Sequence, residues 1–497
     1  MIQGQQFLLK AVLLNVVCDA PARCIVQNFT QFNGFFGCGC CMTKGSSVQT
    51  SARGTMLSYP YEITDDNAKM GHSQLRTHSE TVKYARDAFL NGKPVHGVKG
   101  FTVLTDVSYF DIIKCVTVDY MHCVLLGVQK MLLQLWTDNG NKNEKFYIGD
   151  YVGVLDDRMA ALTSPNVINR SPRHMKELKH WKASEYRSFL LFHSICCLQD
   201  MLPQDYYLHY LLFVESIYLL LQSSISRSDI SRAQLLLAKF CAQMDYLYGQ
   251  RYETYNVHCL LHLTEKVEDL GPLWCQSCFF YEDLNGSLRS LFHGTTKIEL
   301  QIVSAVSIHQ QIPFLVKKVT KRSEVEQLYH RFKNNSKHQN REYISNHMLA
   351  VGRQIECHHS QATRRLIEHA HGPVHNVKQF FRFLSNGIMF YSIKYQYVTK
   401  RNSYTVEYTV NDLPQFGQIQ YFLKTQMQSG TKYLAVIKQF LVVDSTTKLP
   451  CHFYEVKENG QTDVVDVISI QQMCYFACLT TSKKCFIGKI PVFIECD

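Results

Sequence analysis

Two carboxylates, two thiols and two imidazoles stand along this chain in an order that could build metal chemistry. Asp19 closes an apolar run, Cys38 and Cys41 form a Cys-x-x-Cys pair, His258 and His262 form a His-x-x-x-His pair, and Glu282 follows the aromatic pair Phe280-Tyr281. Two thiolates in a tight knuckle can bind one side of a Zn²⁺ ion. Two imidazoles one helical turn apart can supply the other two ligands, giving the Cys₂His₂ set common in structural zinc sites. The carboxylates suggest different work. Two-metal nucleases hold a pair of Mg²⁺ ions with carboxylates at strand ends and on a helix; one ion activates the attacking water or 3′-hydroxyl, the other stabilises the leaving oxygen. Asp19 at the exit of a strand and Glu282 opening a helix suit that role, although each also reads as a simple cap.

Neither half of the zinc set is specific alone. Cys275 and Cys278 form a second Cys-x-x-Cys close to the same histidines, and Cys40 lies inside the first knuckle. A local site of His258, His262, Cys275 and Cys278 is chemically equivalent, so spacing leaves the pairing open. Asp119 and His122 begin an amphipathic stretch and read as a cap with a packing role. Cys474 and Cys478 read as core residues. Lys317, Lys318, Lys321 and Arg322 form a basic cluster that suits either phosphates or a solvated helix face.

These residues need elements to position them. Residues 9–18, rich in Leu and Val, predict a buried strand that turns at Asp19-Ala20-Pro21. Residues 34–45, rich in Gly and Cys, predict the knuckle. Residues 46–115 are polar, with one helix expected near 78–91. From about 117 to 247 the apolar spacing turns helical, most clearly over 120–136, 207–221 and 228–247, the last capped at Ser228. Helical material is expected to continue to about 370. Past a boundary near 370–388, seven segments rich in β-branched and aromatic residues (389–398, 404–410, 418–423, 433–443, 452–456, 464–470 and 485–494) predict a small antiparallel β-domain.

Composition narrows the classes. With 46% apolar residues among 497, the chain can bury a large core and is not a disordered sequence. No apolar run reaches the roughly 18–20 residues that span a bilayer. Residues 7–17 lack a basic leader and a small-residue cleavage site, so they read as a strand rather than a signal peptide. A net charge of +10 suits a polyanionic partner without demanding one. The 19 cysteines, odd in number and irregularly spaced, fit reduced thiols plus a metal site better than a disulfide framework.

The ordered set resembles the DDE transposases of the CACTA (En/Spm-like) group, in its animal branch. The resemblance is carried by Asp19-Ala20-Pro21-Ala22, the knuckle Gly37-Cys38-Gly39-Cys40-Cys41, Asp119-Tyr120-Met121-His122, Val257-His258 through His262, Gly271-Pro272 and Phe280-Tyr281-Glu282. Phe32-Asn33-Gly34, Lys182 to Arg187 and Phe292-His293-Gly294-Thr295 add to it, and together the motifs cover about residues 10–300.

The resemblance implies an α/β RNase H-like catalytic core interrupted by a large all-α insertion, followed by the β-domain. It divides the chain into a partial core with the knuckle (1–45), a mainly helical insertion (46–254), a return carrying the histidine pair and the third acid (255–370), and a β-rich region (371–497). Asp19 then stands as the second catalytic acid and Glu282 as the third. Cys38, Cys41, His258 and His262 pin the insertion to the core through zinc, which favours the long-range pairing over the local one. The family places its first acid on a strand well upstream of the second, yet no Asp or Glu precedes Asp19 here. On this reading the sequence is an N-terminally truncated member, without the first core strands and the family's DNA-binding region. It is expected to hold structural zinc, to bind Mg²⁺ poorly, and to bind DNA weakly and non-specifically without cutting it. A nuclear location and a homo-oligomer are further expectations. The rival is a non-catalytic DNA- or chromatin-associated interaction protein.

Overall fold

The computed structural model describes residues 11–491 apart from 51–53, 64–70, 322, 334–339, 357–363, 369–371, 396, 398–399, 429 and 480–482. Arg322, the first two residues of the predicted strand 9–18 and the end of the predicted segment 485–494 therefore lie outside the described residues.

The N-terminal part is built from short pieces. Helix α1 (Ala20–Val26) follows Asp19, and a hairpin pairs β1 (Ser46–Gln49) with β2 (Thr55–Ser58). Helix α2 (His78–Asn91) occupies the predicted range, opened by the Thr77 side chain on the Glu80 amide and closed by Gly92 in the left-handed region. Phe29, Ala85, Val98, Phe110 and Ile112 form its small core. The buried strand expected over 9–18 is not seen in its described part. It makes one isolated parallel bridge, Val16 to Val116, and leaves Val12 and Leu14 exposed. A strand needs neighbours along its length, and none of the described residues supplies more than that bridge.

Residues 117–250 are helical and contain no strand, as predicted. A π-helical stretch, Met121–Gln129, runs into α3 (Lys130–Thr137). Helices α4 (Val152–Ala161), α5 (Ala183–Ser188) and α6 (Ser194–Cys197) follow. Then come α7 (Gln204–Leu221), α8 (Arg227–Ala242) and α9 (Met244–Tyr248). Helix α7 is apolar around nearly its whole circumference and is buried accordingly, so it forms the axis of the body. Trp136 packs edge-on to Tyr210, their ring centroids 5.1 Å apart. The cap of helix α8 lies two residues earlier than Ser228: the Ser226 side chain accepts the Asp229 amide while the Asp229 carboxylate accepts the Ser226 amide.

The return segment holds α10 (Tyr255–Leu260), α11 (Leu263–Leu270) and α12 (Phe279–Arg289). Two further helices, α13 (Ile298–Val316) and α14 (Glu324–Lys333), precede the strands.

Strands begin at Arg341, earlier than the predicted boundary, although residues 364–368 are helical. A four-stranded antiparallel sheet combines β3 (Arg341–Ser345), β4 (Met348–Val351), β7 (Arg382–Ser385) and β8 (Ile388–Tyr391). The larger sheet contains β5 (Ile355–Glu356), β6 (His375–Phe380), β9 (Thr405–Val410), β10 (Leu413–Met427), β11 (Gly430–Val442), β12 (Phe453–Asp466), β13 (Ile470–Cys478) and β14 (Cys485–Lys489). Because β11 pairs with both β10 and β12, six of these strands close into a barrel in the order β10-β11-β12-β14-β13-β9. Closure removes the open edges that a small sheet would otherwise expose. All but the first residue of the predicted segment 452–456 and the first three residues of 464–470 fall in the long strand β12, residues 467–469 form a 3-10 turn, and β13 is a strand the sequence reading does not contain.

Cys474 is buried as expected, but Cys478 is exposed and disulfide-bonded to Cys485, its partner in the β13–β14 register. That pair is an exception to the reduced thiols expected, and the other described cysteines are free. The barrel also shares the helical core. Tyr475 stacks on Phe192, His452 stacks on Tyr218, and the His452 ring reaches the Leu191 carbonyl at 3.1 Å.

Candidate metal centre

Two segments more than 200 residues apart meet here, since Cys41 and His258 are separated by 217 positions. The knuckle is shaped by close approach. A side chain at Gly37 would sit 2.4 Å from the Gln31 carbonyl oxygen and 2.6 Å from the Tyr59 hydroxyl. Buried Arg76 then ties the knuckle backbone together. Its Nε donates to the carbonyls of Cys38 (2.9 Å) and Cys41 (3.0 Å), and its Nη2 donates to that of His96 (2.8 Å). On the opposite side, Thr254 caps α10, which carries His258, and His262 lies at the break between α10 and α11. The two histidines therefore do not share one continuous helix as the spacing predicted, but both rings still turn to the same point.

That point is enclosed. Cys38, Cys41, His258 and His262 are all buried, with ligand atoms within 4.8 Å of one another. Cys38 Sγ lies 3.6 Å from His262 Nε2, Cys41 Sγ lies 3.3 Å from His258 Nε2, and the two Nε2 atoms are 3.4 Å apart. A tetrahedral ion with Zn–S near 2.3 Å and Zn–N near 2.05 Å would set S···N at about 3.6 Å and N···N at about 3.4 Å. The four donors thus fit a single metal ion such as zinc. The local alternative does not form: Cys275 is exposed, and Cys278 lies beside Asp119 and His122 instead.

A second layer orients the ligands, and sequence reasoning missed it. His262 Nδ1 lies 3.2 Å from Glu265, and the other Glu265 oxygen lies 3.5 Å from His72 Nε2. Burial pushes the Glu265 carboxyl up, but the bonds and charges of His262 and His72 outweigh it and hold its pKa at about 2. A carboxylate on the far nitrogen fixes the tautomer and aim of a metal-binding imidazole. Only the position of Glu265 three residues after His262 could have signalled this; nothing in the sequence marks Arg76 or His72.

The two acids lie nearby. Asp19 caps α1, accepting the Ala22 amide at 2.8 Å, so the turn-capping reading holds for one of its oxygens. Buried Arg23 anchors that helix through the Thr117 carbonyl (3.2 Å) and the Tyr255 hydroxyl. Asp19 also lines a cavity of about 880 Å³ together with Phe35, Met56, His122, Leu126 and Asn256. The wall is tight where the π-helical stretch meets α10: a side chain at Gly127 would stand 2.6 Å from Asn256 Nδ2.

Asp119 caps as expected, accepting the amides of Met121 (3.2 Å), His122 (3.1 Å) and Cys278 (2.9 Å). His122, however, is not simply packed. Its Nδ1 lies 2.5 Å from Asp119 Oδ2, and its Nε2 faces Glu282 Oε1 at 3.6 Å. Glu282 sits in the first turn of α12 with its carboxylate exposed. The hydrogen bond to Asp119 raises the His122 pKa, burial opposes this, and Glu282 and Asp19 add to the rise. The structure therefore brings His122 to both predicted acids, touching Glu282 and sharing a cavity wall with Asp19. No protein-family model matches the chain, and no curated protein matches it.

Proposed function

We propose that this chain is a DNA-binding protein of DDE transposase descent, held together by structural zinc and unable to cut DNA by itself. The observation that carries the reading is the long-range cluster. Four residues that the CACTA resemblance pairs across the helical segment, Cys38, Cys41, His258 and His262, meet in one buried set. On this reading the segments around Asp19 and Glu282 are parts of an RNase H-like core, and zinc joins the helical insertion to that core.

The carboxylates do not fit a pair of Mg²⁺ ions. Asp19 spends one oxygen on the Ala22 amide, Glu282 faces an imidazole, and Asp119 is buried with its oxygens occupied by amides and His122. Mg²⁺ demands near-octahedral oxygen ligands, and two ions need more carboxylate than this. Binding DNA demands less. The net charge is +10, and Arg289, Lys297, Lys317, Lys318 and Lys321 are exposed on the segments that follow Glu282. Such charges displace counterions from a phosphate backbone without reading sequence.

Fluorescence anisotropy of a labelled duplex against salt tests the binding. The expected result is measurable affinity at low salt, a log–log slope of several units, and equal affinity for an unrelated duplex. No binding at low salt would favour a structural role away from DNA.

A further inference from the structure

The Asp119–His122–Glu282 chain is more than the cap that opens a helix needs. The Asp119 side chain is 1% exposed and accepts three backbone amides, so its position is fixed. It grips His122 Nδ1 at 2.5 Å and sets the direction of the ring. The remaining nitrogen, Nε2, points at Glu282 across 3.6 Å. That gap exceeds the roughly 2.7–3.2 Å of an N–H···O hydrogen bond. It is close to the span of about 3.0–3.4 Å between nitrogen and oxygen atoms sharing one cation at bond lengths near 2.1 Å. Asp19 stands on the cavity wall that His122 also lines.

We propose that His122 and Glu282 form a binding site for one divalent transition-metal ion, with Asp119 as the positioning carboxylate and Asp19 as the nearby acid. The site is separate from the Cys/His cluster. An imidazole backed by a buried carboxylate is the usual form of a histidine metal ligand. A mixed nitrogen and oxygen set selects Mn²⁺, Fe²⁺, Co²⁺ or Zn²⁺ over Mg²⁺, which prefers oxygen alone. The inference deepens the reading of Asp19 and Glu282 given above. Its test is metal binding, so it can fail while DNA binding stands.

The probe is Mn²⁺, titrated into the full chain after a single equivalent of zinc has filled the Cys/His cluster. Mn²⁺ stands lowest in the affinity order and leaves thiolate-bound zinc in place. Free Mn²⁺ is followed by its six-line electron paramagnetic resonance signal, and bound Mn²⁺ by spin-echo modulation from a coordinated ¹⁴N nucleus. One bound ion with ¹⁴N modulation is expected. His122→Ala should remove the modulation and weaken binding at least about 10-fold. Glu282→Gln, at an exposed position, should weaken binding comparably without disturbing zinc content. Asp119→Asn should weaken binding about 10–100-fold yet keep the modulation at saturation, as a positioning residue would. No binding at millimolar Mn²⁺, binding without ¹⁴N modulation, or unchanged affinity in His122→Ala would each overturn the site and leave His122 and Glu282 as an ion pair.

Discussion

Replacing Cys38 and Cys41 with Ser should cost a substantial part of the stability, because a metal ion bound in the Cys/His cluster would close a very long loop. Cys41 and His258 are 217 residues apart. By the loop-entropy relation used for covalent cross-links, tying two points at that separation stabilises the folded state by about 5 kcal/mol. Typical proteins have only about 5–15 kcal/mol in total. The figure is an upper value here, since Arg23 already joins α1 to Tyr255 and Arg76 already orders the knuckle. For 497 residues, an unfolding entropy near 2.1 cal/mol/K per residue converts it to a fall in melting temperature of about 5 °C. Scanning calorimetry of the wild type, the Cys38→Ser/Cys41→Ser double variant and chelator-treated wild type reads the shift. Amide hydrogen exchange locates it. Protection should fall at 37–43, 72–77 and 255–267 and persist in the barrel strands. Equal melting temperatures, or exchange that rises uniformly along the chain, would refute the reasoning.

Two other consequences can be checked. Arg76→Met should lower zinc affinity about 10–100-fold in a chelator competition, because the carbonyls of Cys38, Cys41 and His96 lose their shared donor and the knuckle loosens; unchanged affinity would show that the knuckle holds its shape without the guanidinium. Acid should destabilise the helix–barrel body through His193, His209 and His452, whose burial lowers their pKa values to about 4, 4 and 3. These rings are neutral when folded but gain protons in the unfolded chain below about pH 6.5, so stability is full above that pH and falls toward pH 4. The loss is about 1.4 kcal/mol per pH unit for each ring. Urea melts of the zinc-loaded protein at pH 7, 6 and 5 measure it, and a flat or rising trend toward acid would contradict the assignment.

Much of the helical body was legible because its apolar period is long and repeated. Helix α2 fell in its expected range, and α7 within a few residues of it. Except for β13, the barrel's strands were legible as separate pieces, but their closure was not, since the β10–β11–β12 pairings are set by packing and not by any local pattern. The strand expected before Asp19 misled for the opposite reason: an apolar run shows preference for burial, not the presence of a neighbour. At the metal centre the ligands could be proposed from spacing and resemblance together. Arg76 and His72 could not, because a buried charge looks like a surface charge until its partners are known, and Glu265 carries only the signal of standing three residues after His262. His122 reads as a packing residue in the sequence because its spacing from Asp119 is that of any helix cap.

One gel assay bears most directly on the claim that this chain keeps the DNA affinity of a strand-cleaving ancestor but not its chemistry. Zinc-loaded protein is incubated with supercoiled plasmid and Mg²⁺ or Mn²⁺, at low and moderate salt, alongside Glu282→Ala. The expected result is plasmid retarded at low salt, released at moderate salt, and still fully supercoiled after the protein is removed. Nicked or linear plasmid produced by the wild type and absent with Glu282→Ala would contradict the account and show that Asp19, Glu282 and a further ligand complete a working site.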